Sequence, residues 1–326
     1  MQFKKPALST GDLFALLQQR GLPLTDACDK KLTYDALSAI GYYRLSGYML
    51  PFQQTTGWKK HHFKPSASIQ KILALYKFDT ELRNHCGEAL GEIEVAMRTS
   101  ICDHMARQYG AHWQLDANAF KPLQHEASLN AFAKAAYFDR VTNAPVKKRQ
   151  AGGHLFLDSY YSRYTSPKFP ASWMVRECAS FGTWAIVYKN IPTIDQKQIA
   201  NFWHFPNRKK IDHVILEDWF HSLSVFRNRC AHHSRITNRT FPFSPKATTE
   251  KSVTHLFTAQ ATDLRTLLVV TALLLLRVNP RSNWVNRLSL IFNKHSLVDI
   301  QSATGMENSA QRAWNADPIW DIPNLS

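Results

Sequence analysis

SIQKILALYKFDTELRNHCGEALGEIEVAMRTSICDHMARQY, residues 68–109, decides the fold class. Ile72, Leu75, Leu82, Leu90, Ile93, Met97 and Ile101 keep helical spacing, with slips. The pattern predicts one long helix from Ser68 to Tyr109, ended by Gly110. Gly87 and Gly91 lie inside it, where a bend or close helix packing is expected. Glu94 and Arg98 stand four apart on this helix and predict an intrahelical ion pair. Their apolar neighbours Ile93, Val95, Met97 and Ile101 place that pair in partly buried surroundings. His104 follows on the same helix.

Working outward, the pattern stays helical. Thr10 can cap a short helix that Gly21 stops. A second helix runs through Leu32, Leu37 and Ile40 to Gly41. Tyr42 to Tyr48 is too aromatic for a solvated surface, and Gly57 to Pro65 reads as a loop mixing cations with aromatic rings. On the C-terminal side, Tyr160 to Tyr164 reads as a short helix. Pro167 and Pro170 precede a helix over Ser172–Lys189. Another runs from about Ile211 through Trp219, Phe220, Leu223 and Phe226, and a very apolar one spans Leu264–Val278. Pro318 and Pro323 predict an irregular tail. No repeat and no convincing strand set emerges. The expectation is an all-α fold, with an N-terminal helical region (1–66), a helical core (67–300) carrying an inserted, flexible basic loop (139–153), and a C-terminal tail (301–326).

Forty Lys and Arg stand against 25 Asp and Glu in 326 residues, a formal net charge of +15. That excess suits a polyanionic partner, nucleic acid or an anionic membrane surface, with a merely soluble basic protein as the equal alternative from charge alone. The hydrophobic fraction of 44% argues against global disorder. The apolar run Leu267–Leu276, bounded by Arg265 and Arg277, is about half of the roughly 20 residues a membrane span needs, so a buried core helix and no membrane partner are expected. Five scattered cysteines without CxxC spacing suit reduced thiols and a cytoplasmic location. The N-terminus lacks the apolar run of a signal peptide.

One stretch carries chemistry: Arg227-Asn228-Arg229-Cys230-Ala231-His232-His233. Arginine presents a permanently charged fork to phosphate oxygens, and histidine can donate or accept a proton near neutral pH. Such a pair can help RNA cleave itself, because the 2′-hydroxyl attacks the adjacent phosphorus without a metal or cofactor. Asn228 and His232 share a helical face, whereas Arg227 and His232 are offset by roughly 140° on an ideal helix. The two converge on one phosphate only if the helix bends or ends there, or if they meet at an interface. Acid and base roles want two imidazoles, and the motif supplies one at the key position. A two-fold homodimer would supply the second; His233 would do so less well, pointing about 100° away. The plain alternatives are an arginine paired with a carboxylate and a histidine capping a helix. Cys230, His232 and His233 are too close together to match usual zinc ligand pairs, so no metal is expected. A buried Glu94–Arg98 pair would orient Arg227 or His232 from behind. Lys59, Lys60, Lys147, Lys148, Arg149, Arg208, Lys209, Lys210 and Arg235 are the candidates for contacting an RNA backbone.

Residues 227–235 closely resemble the RNxCAHHxR signature of the Abi-like (AbiD/AbiF-type) bacterial abortive-infection proteins, of the HEPN superfamily. Ile40 to Tyr48, Ile93-Glu94-Val95-Ala96-Met97-Arg98, Trp173-Met174 with Ser180 to Thr183, and Trp314 to Trp320 resemble further blocks of that family in order. The resemblance implies a HEPN-type helical bundle acting as a dimeric, metal-independent ribonuclease in phage defence, of toxin–antitoxin character. Arg227 and His232 would be its catalytic pair, with Asn228 beside them and Glu94, Arg98 and His233 in support. A small noncoding RNA that restrains or guides the protein is a further implied partner. The competing reading is a non-catalytic RNA-binding component of a ribonucleoprotein.

Overall fold

The structure is a computed structural model that describes residues 2, 6–57, 60–146, 154–257, 264–306 and 313–324. It is predominantly helical. The elements are α1 (Thr10–Gln19), α2 (Ala27–Ala39), α3 (Tyr42–Met49), α4 (Ile69–Tyr109), α5 (His125–Ala135), α6 (Leu155–Arg163), α7 (Ser172–Cys178), α8 (Phe181–Asn190), α9 (Thr193–Ala200), α10 (His213–Ala231), α11 (Leu264–Val278), α12 (Trp284–Lys294) and α13 (Ile300–Thr304). A minimal antiparallel hairpin, β1 (Phe138–Asp139) with β2 (Ala144–Pro145), lies between α5 and α6. The residues group into two compact units.

The first unit comprises residues 1–85, 233–239 and 286–317. α1 starts on a capping box: the Ser9 hydroxyl accepts from the Asp12 amide while Asp12 accepts from the Ser9 amide. Ser9, rather than Thr10, is therefore the cap. Leu17, Leu37, Leu45, Met49, Ile72, Leu75, Phe78 and Phe292 bury its core, with Phe78 edge-on to Phe292 at 5.5 Å. Inside that core Asp79 is fully buried beside Arg83, its ion-pair partner one turn on. Asp79 Oδ2 accepts from the Tyr48 hydroxyl at 2.9 Å. Asp79 Oδ1 accepts from the Ile236 amide, the Thr237 amide and the Thr237 hydroxyl, each at 2.9 Å. One carboxylate thus satisfies donors more than 150 positions away and holds the strap 233–239 in place.

The second unit comprises residues 86–232, 240–285 and 318–326. α10 buries Leu216, Trp219, Phe220, Leu223, Phe226 and Cys230 along one stripe. That stripe packs on α8, α9 and α11, with Tyr188 and Trp203 edge-on to Phe220 at 5.2 Å each. α11 is buried from Leu264 to Leu275, as its apolar sequence demands. No helix among the described residues is long and apolar enough to cross a membrane.

Several expectations are corrected. The helix over Ser172–Lys189 is two helices: Ala179 is extended, and the Ser180 hydroxyl caps α8 by accepting from the Thr183 amide at 3.2 Å. α9 was not foreseen, because its buried residues include Asp195 and Gln196. The tail is ordered 3-10 helix over Trp314–Ala316 and Pro318–Asn324, with Ile319 and Ile322 buried. The expected basic loop begins in the hairpin, and residues 147–153 lie outside the described residues. Gly87 and Gly91 are not sites of close packing, since a Cβ at either would meet nothing within 4 Å. Gly110, at φ +92°, does end α4 in the left-handed conformation open to glycine.

Replacing Asp79 with alanine would strand Arg83 and the 236–237 donors in the core. The expected loss is about 3–5 kcal/mol of unfolding free energy, read from denaturant midpoints. Asp35→Ala, which removes an exposed pair with Lys31, leaves the midpoint unchanged.

Candidate functional site

α10 begins at Asp212, whose side chain accepts from the Val214 amide, and runs without interruption into the motif. Arg227 and Asn228 stand on its last turns, and His232 is its C-cap, with φ −89° and ψ 17°. The His232 amide donates to the Asn228 carbonyl at 2.9 Å, and its side chain is exposed. The helix is therefore regular up to Ala231 and ends only at His232, so Arg227 and His232 keep the offset of an ideal helix and the structure does not bring their side chains together within one chain.

Arg227 is held from behind. Glu94, only 4% exposed, pairs with Arg227, whose Nε lies 3.0 Å from Oε2, and accepts from Arg98 through Oε1. A single buried carboxylate of α4 thus bridges an arginine on its own helix and the motif arginine on α10. Burial is the largest influence on Arg98 and pushes its guanidinium below the usual arginine range. Glu177 opposes that shift, while the positive charges of Arg227 and Arg176 reinforce it. Arg176 itself pairs with Asp103 at 3.3 Å and Glu177 at 2.9 Å.

The Arg227 side chain keeps 34% of its surface accessible. Its Nη1 lies 3.4 Å from Asn228 Oδ1, so the amide after the arginine touches the guanidinium. Both plain alternatives of the sequence are present in this geometry: the arginine pairs with a carboxylate, and the histidine caps a helix. Neither uses up the chemistry. Bonding to Glu94 through Nε leaves the Nη fork for a further anion, and a backbone cap leaves the imidazole free to work.

The remaining candidates separate. His104 turns to Asp195, with Nε2 2.7 Å from Oδ1, and Tyr109 donates to the other oxygen of that carboxylate at 2.8 Å. Burial and this acceptor push the Tyr109 phenol up to about 12. His104 lines a cleft of about 720 Å³ along α4 with Val95, Thr99 and Phe202, and it does not join Glu94 and Arg98. His233 adopts φ +53°, a conformation a non-glycine residue takes only when its surroundings impose it; its carbonyl accepts from Arg44 Nη2 at 2.6 Å. Arg235 faces the first unit's interior, where it donates to the Gly47 carbonyl and lies 5.9 Å from the Tyr48 ring. Arg208, Lys209 and Lys210 form an exposed turn in which Lys209 pairs with Glu250 at 3.3 Å. Lys60 is exposed. Lys59, Lys147, Lys148 and Arg149 lie outside the described residues. Sequence reasoning missed Asp79 and Asp195 and held Arg44 only as part of the 40–48 block, since each reads as an ordinary polar residue until its distant partner is in place.

A family model described as Abi-like protein matches residues 35–238. That span holds α3, the Glu94–Arg98 turn and the whole 227–235 motif. No curated protein and no solved structure matches the chain.

Glu94→Gln keeps the volume but removes the charge that two arginines share. The expected cost is about 3 kcal/mol, the low end for a buried pair because Arg227 is partly solvated. Helical circular dichroism is unchanged. Equal midpoints for variant and parent in urea would show that the bridge contributes nothing.

Proposed function

The chain belongs to the Abi-like protein family, whose name ties it to abortive infection, and on that premise we propose that it is a phage-defence endoribonuclease that cleaves single-stranded RNA. The observation that carries this reading is the Arg227 fork, fixed by buried Glu94 on one side and open on the other, at a helix end whose cap is an exposed histidine. Arg227 binds the scissile phosphate through its Nη groups and neutralises charge developing on the phosphoryl oxygens. His232 moves the proton, taking it from the 2′-hydroxyl or giving it to the departing 5′-oxygen. The 2′-oxygen forms a bond to phosphorus as the bond to the 5′-oxygen breaks, leaving a 2′,3′-cyclic phosphate and a 5′-hydroxyl. Asn228 steadies the guanidinium, and Glu94 with Arg98 positions it.

One imidazole cannot fill both proton roles at once. A homodimer pairing two copies of the motif would supply the second, in a site shared across the two-fold axis. The basic surface and the resemblance also suit a small noncoding RNA as a restraining partner.

The test uses purified protein and labelled single-stranded RNA in EDTA. Wild type is expected to cleave and leave cyclic-phosphate ends, with a bell-shaped pH profile. His232→Ala and Arg227→Ala each lose about a hundredfold or more in rate. Glu94→Ala loses activity while retaining helical content. If these variants cleave as fast as wild type, the site lies elsewhere. RNA bound but left intact under every activating condition would instead mark a binding component of a ribonucleoprotein.

A further inference from the structure

Tyr43 is 94% exposed, although it belongs to α3, a helix whose Leu45, Tyr48 and Met49 are buried. Its neighbours in the chain are engaged. The Tyr42 hydroxyl accepts from Arg20 Nη1 at 2.6 Å. Arg44 donates to the His233 carbonyl at 2.6 Å and lies 5.9 Å from the Tyr76 ring. An aromatic ring is thus presented to solvent by an anchored helix turn, between Tyr42, which Arg20 holds, and Arg44. Arg44 ties that turn to His233, one peptide bond past His232. The strap that follows is held by Asp79 and Arg235 and presents exposed Arg239.

An exposed phenol ring on a helix turn that also carries arginine contacts can bind an unpaired nucleobase: the ring offers a stacking face and the cations attract the phosphodiester chain. The ring is what favours RNA over an acidic protein surface: Arg20, bound to Tyr42, and Arg44 would draw either polyanion, whereas an exposed flat ring gives an unpaired base a stacking face. We propose that Tyr43 is a base-stacking residue that receives a nucleotide of single-stranded RNA beside the strap following His232. This rests on the ribonuclease reading for its substrate, but it makes a separate claim about binding.

The experiment measures binding of a short fluorescent oligoribonucleotide by anisotropy in a His232→Ala background, which keeps the RNA intact. Tyr43→Ala is expected to weaken binding about tenfold, as loss of one stacked base does. The salt dependence should be unchanged, because no phosphate contact is removed. Tyr43→Trp should bind within about twofold of the parent, since any flat ring restores stacking. Melting temperature should not move in either variant, which separates stacking from a structural role. In the wild-type background, Tyr43→Ala should raise KM and leave kcat unaltered. The proposal is overturned if Tyr43→Ala binds like its parent, if the Trp variant is as weak as the Ala variant, or if the parent binds no RNA. It is equally overturned if Tyr43→Ala leaves RNA affinity intact but dissociates a dimer in sedimentation, which would assign the ring to a protein interface. A wild type that binds RNA without cleaving it sinks the nuclease reading and leaves the stacking claim standing.

Discussion

Two buried carboxylates on α4 are the constraint around which the motif is arranged. Asp79 and Glu94 are each almost wholly removed from water, and each has an arginine four residues on, Arg83 and Arg98. A buried carboxylate is tolerable only if charge and hydrogen bonds replace its lost hydration. The i,i+4 arginine supplies part of that replacement in both cases. The rest comes from one short stretch of chain: Arg227 completes Glu94 in the second unit, and the amides of Ile236 and Thr237 complete Asp79 in the first. His232 and His233, where the chain passes from one unit to the other, fall between these two anchorages. The motif is therefore bracketed by interactions that cannot be lost without leaving a charge buried.

This arrangement explains why the family blocks are spread along the chain. The Tyr42–Tyr48 block supplies Arg44 to the His233 carbonyl, Gly47 to Arg235, and Tyr48 to Asp79. The Ile93–Arg98 block supplies the carboxylate for Arg227. Neither block needs to touch a substrate to matter, because each fixes the part of the segment in its own unit, 233–237 in the first and Arg227 in the second.

The helical class was legible because α4, α10 and α11 bury apolar stripes over many turns, and a 3.6-residue period survives substitution at single positions. Glu94–Arg98 was legible for the same reason, since i,i+4 neighbours meet wherever a helix forms. What failed to show was decided by single polar groups. Ser180 ends one helix and starts another with one hydroxyl, and α9 buries Asp195 only because His104 and Tyr109, far back in the chain, satisfy it. Asp79 reads as a surface position on α4 until Ile236 and Thr237 arrive from 157 and 158 residues away. Pattern reading sees local periods, whereas these partners are set by tertiary folding.

The charges around Glu94 bear on the ligand proposed for Arg227. Glu94 is shared by two guanidiniums and alone does not balance them. Arg176 adds a third positive charge, while its partners Asp103 and Glu177 bring two more negative ones, so the six groups balance. Arg98 registers this crowding: beyond the cost of burial, Arg227 and Arg176 act against its charged form. On the proposed reading, a phosphate taken up by the open fork of Arg227 would offset the repulsion among the three arginines. A neutral ligand would not. Under the proposed function the ligand is a phosphodiester, whose oxygens can meet Arg227 from the solvent side and spread over more than one Nη group.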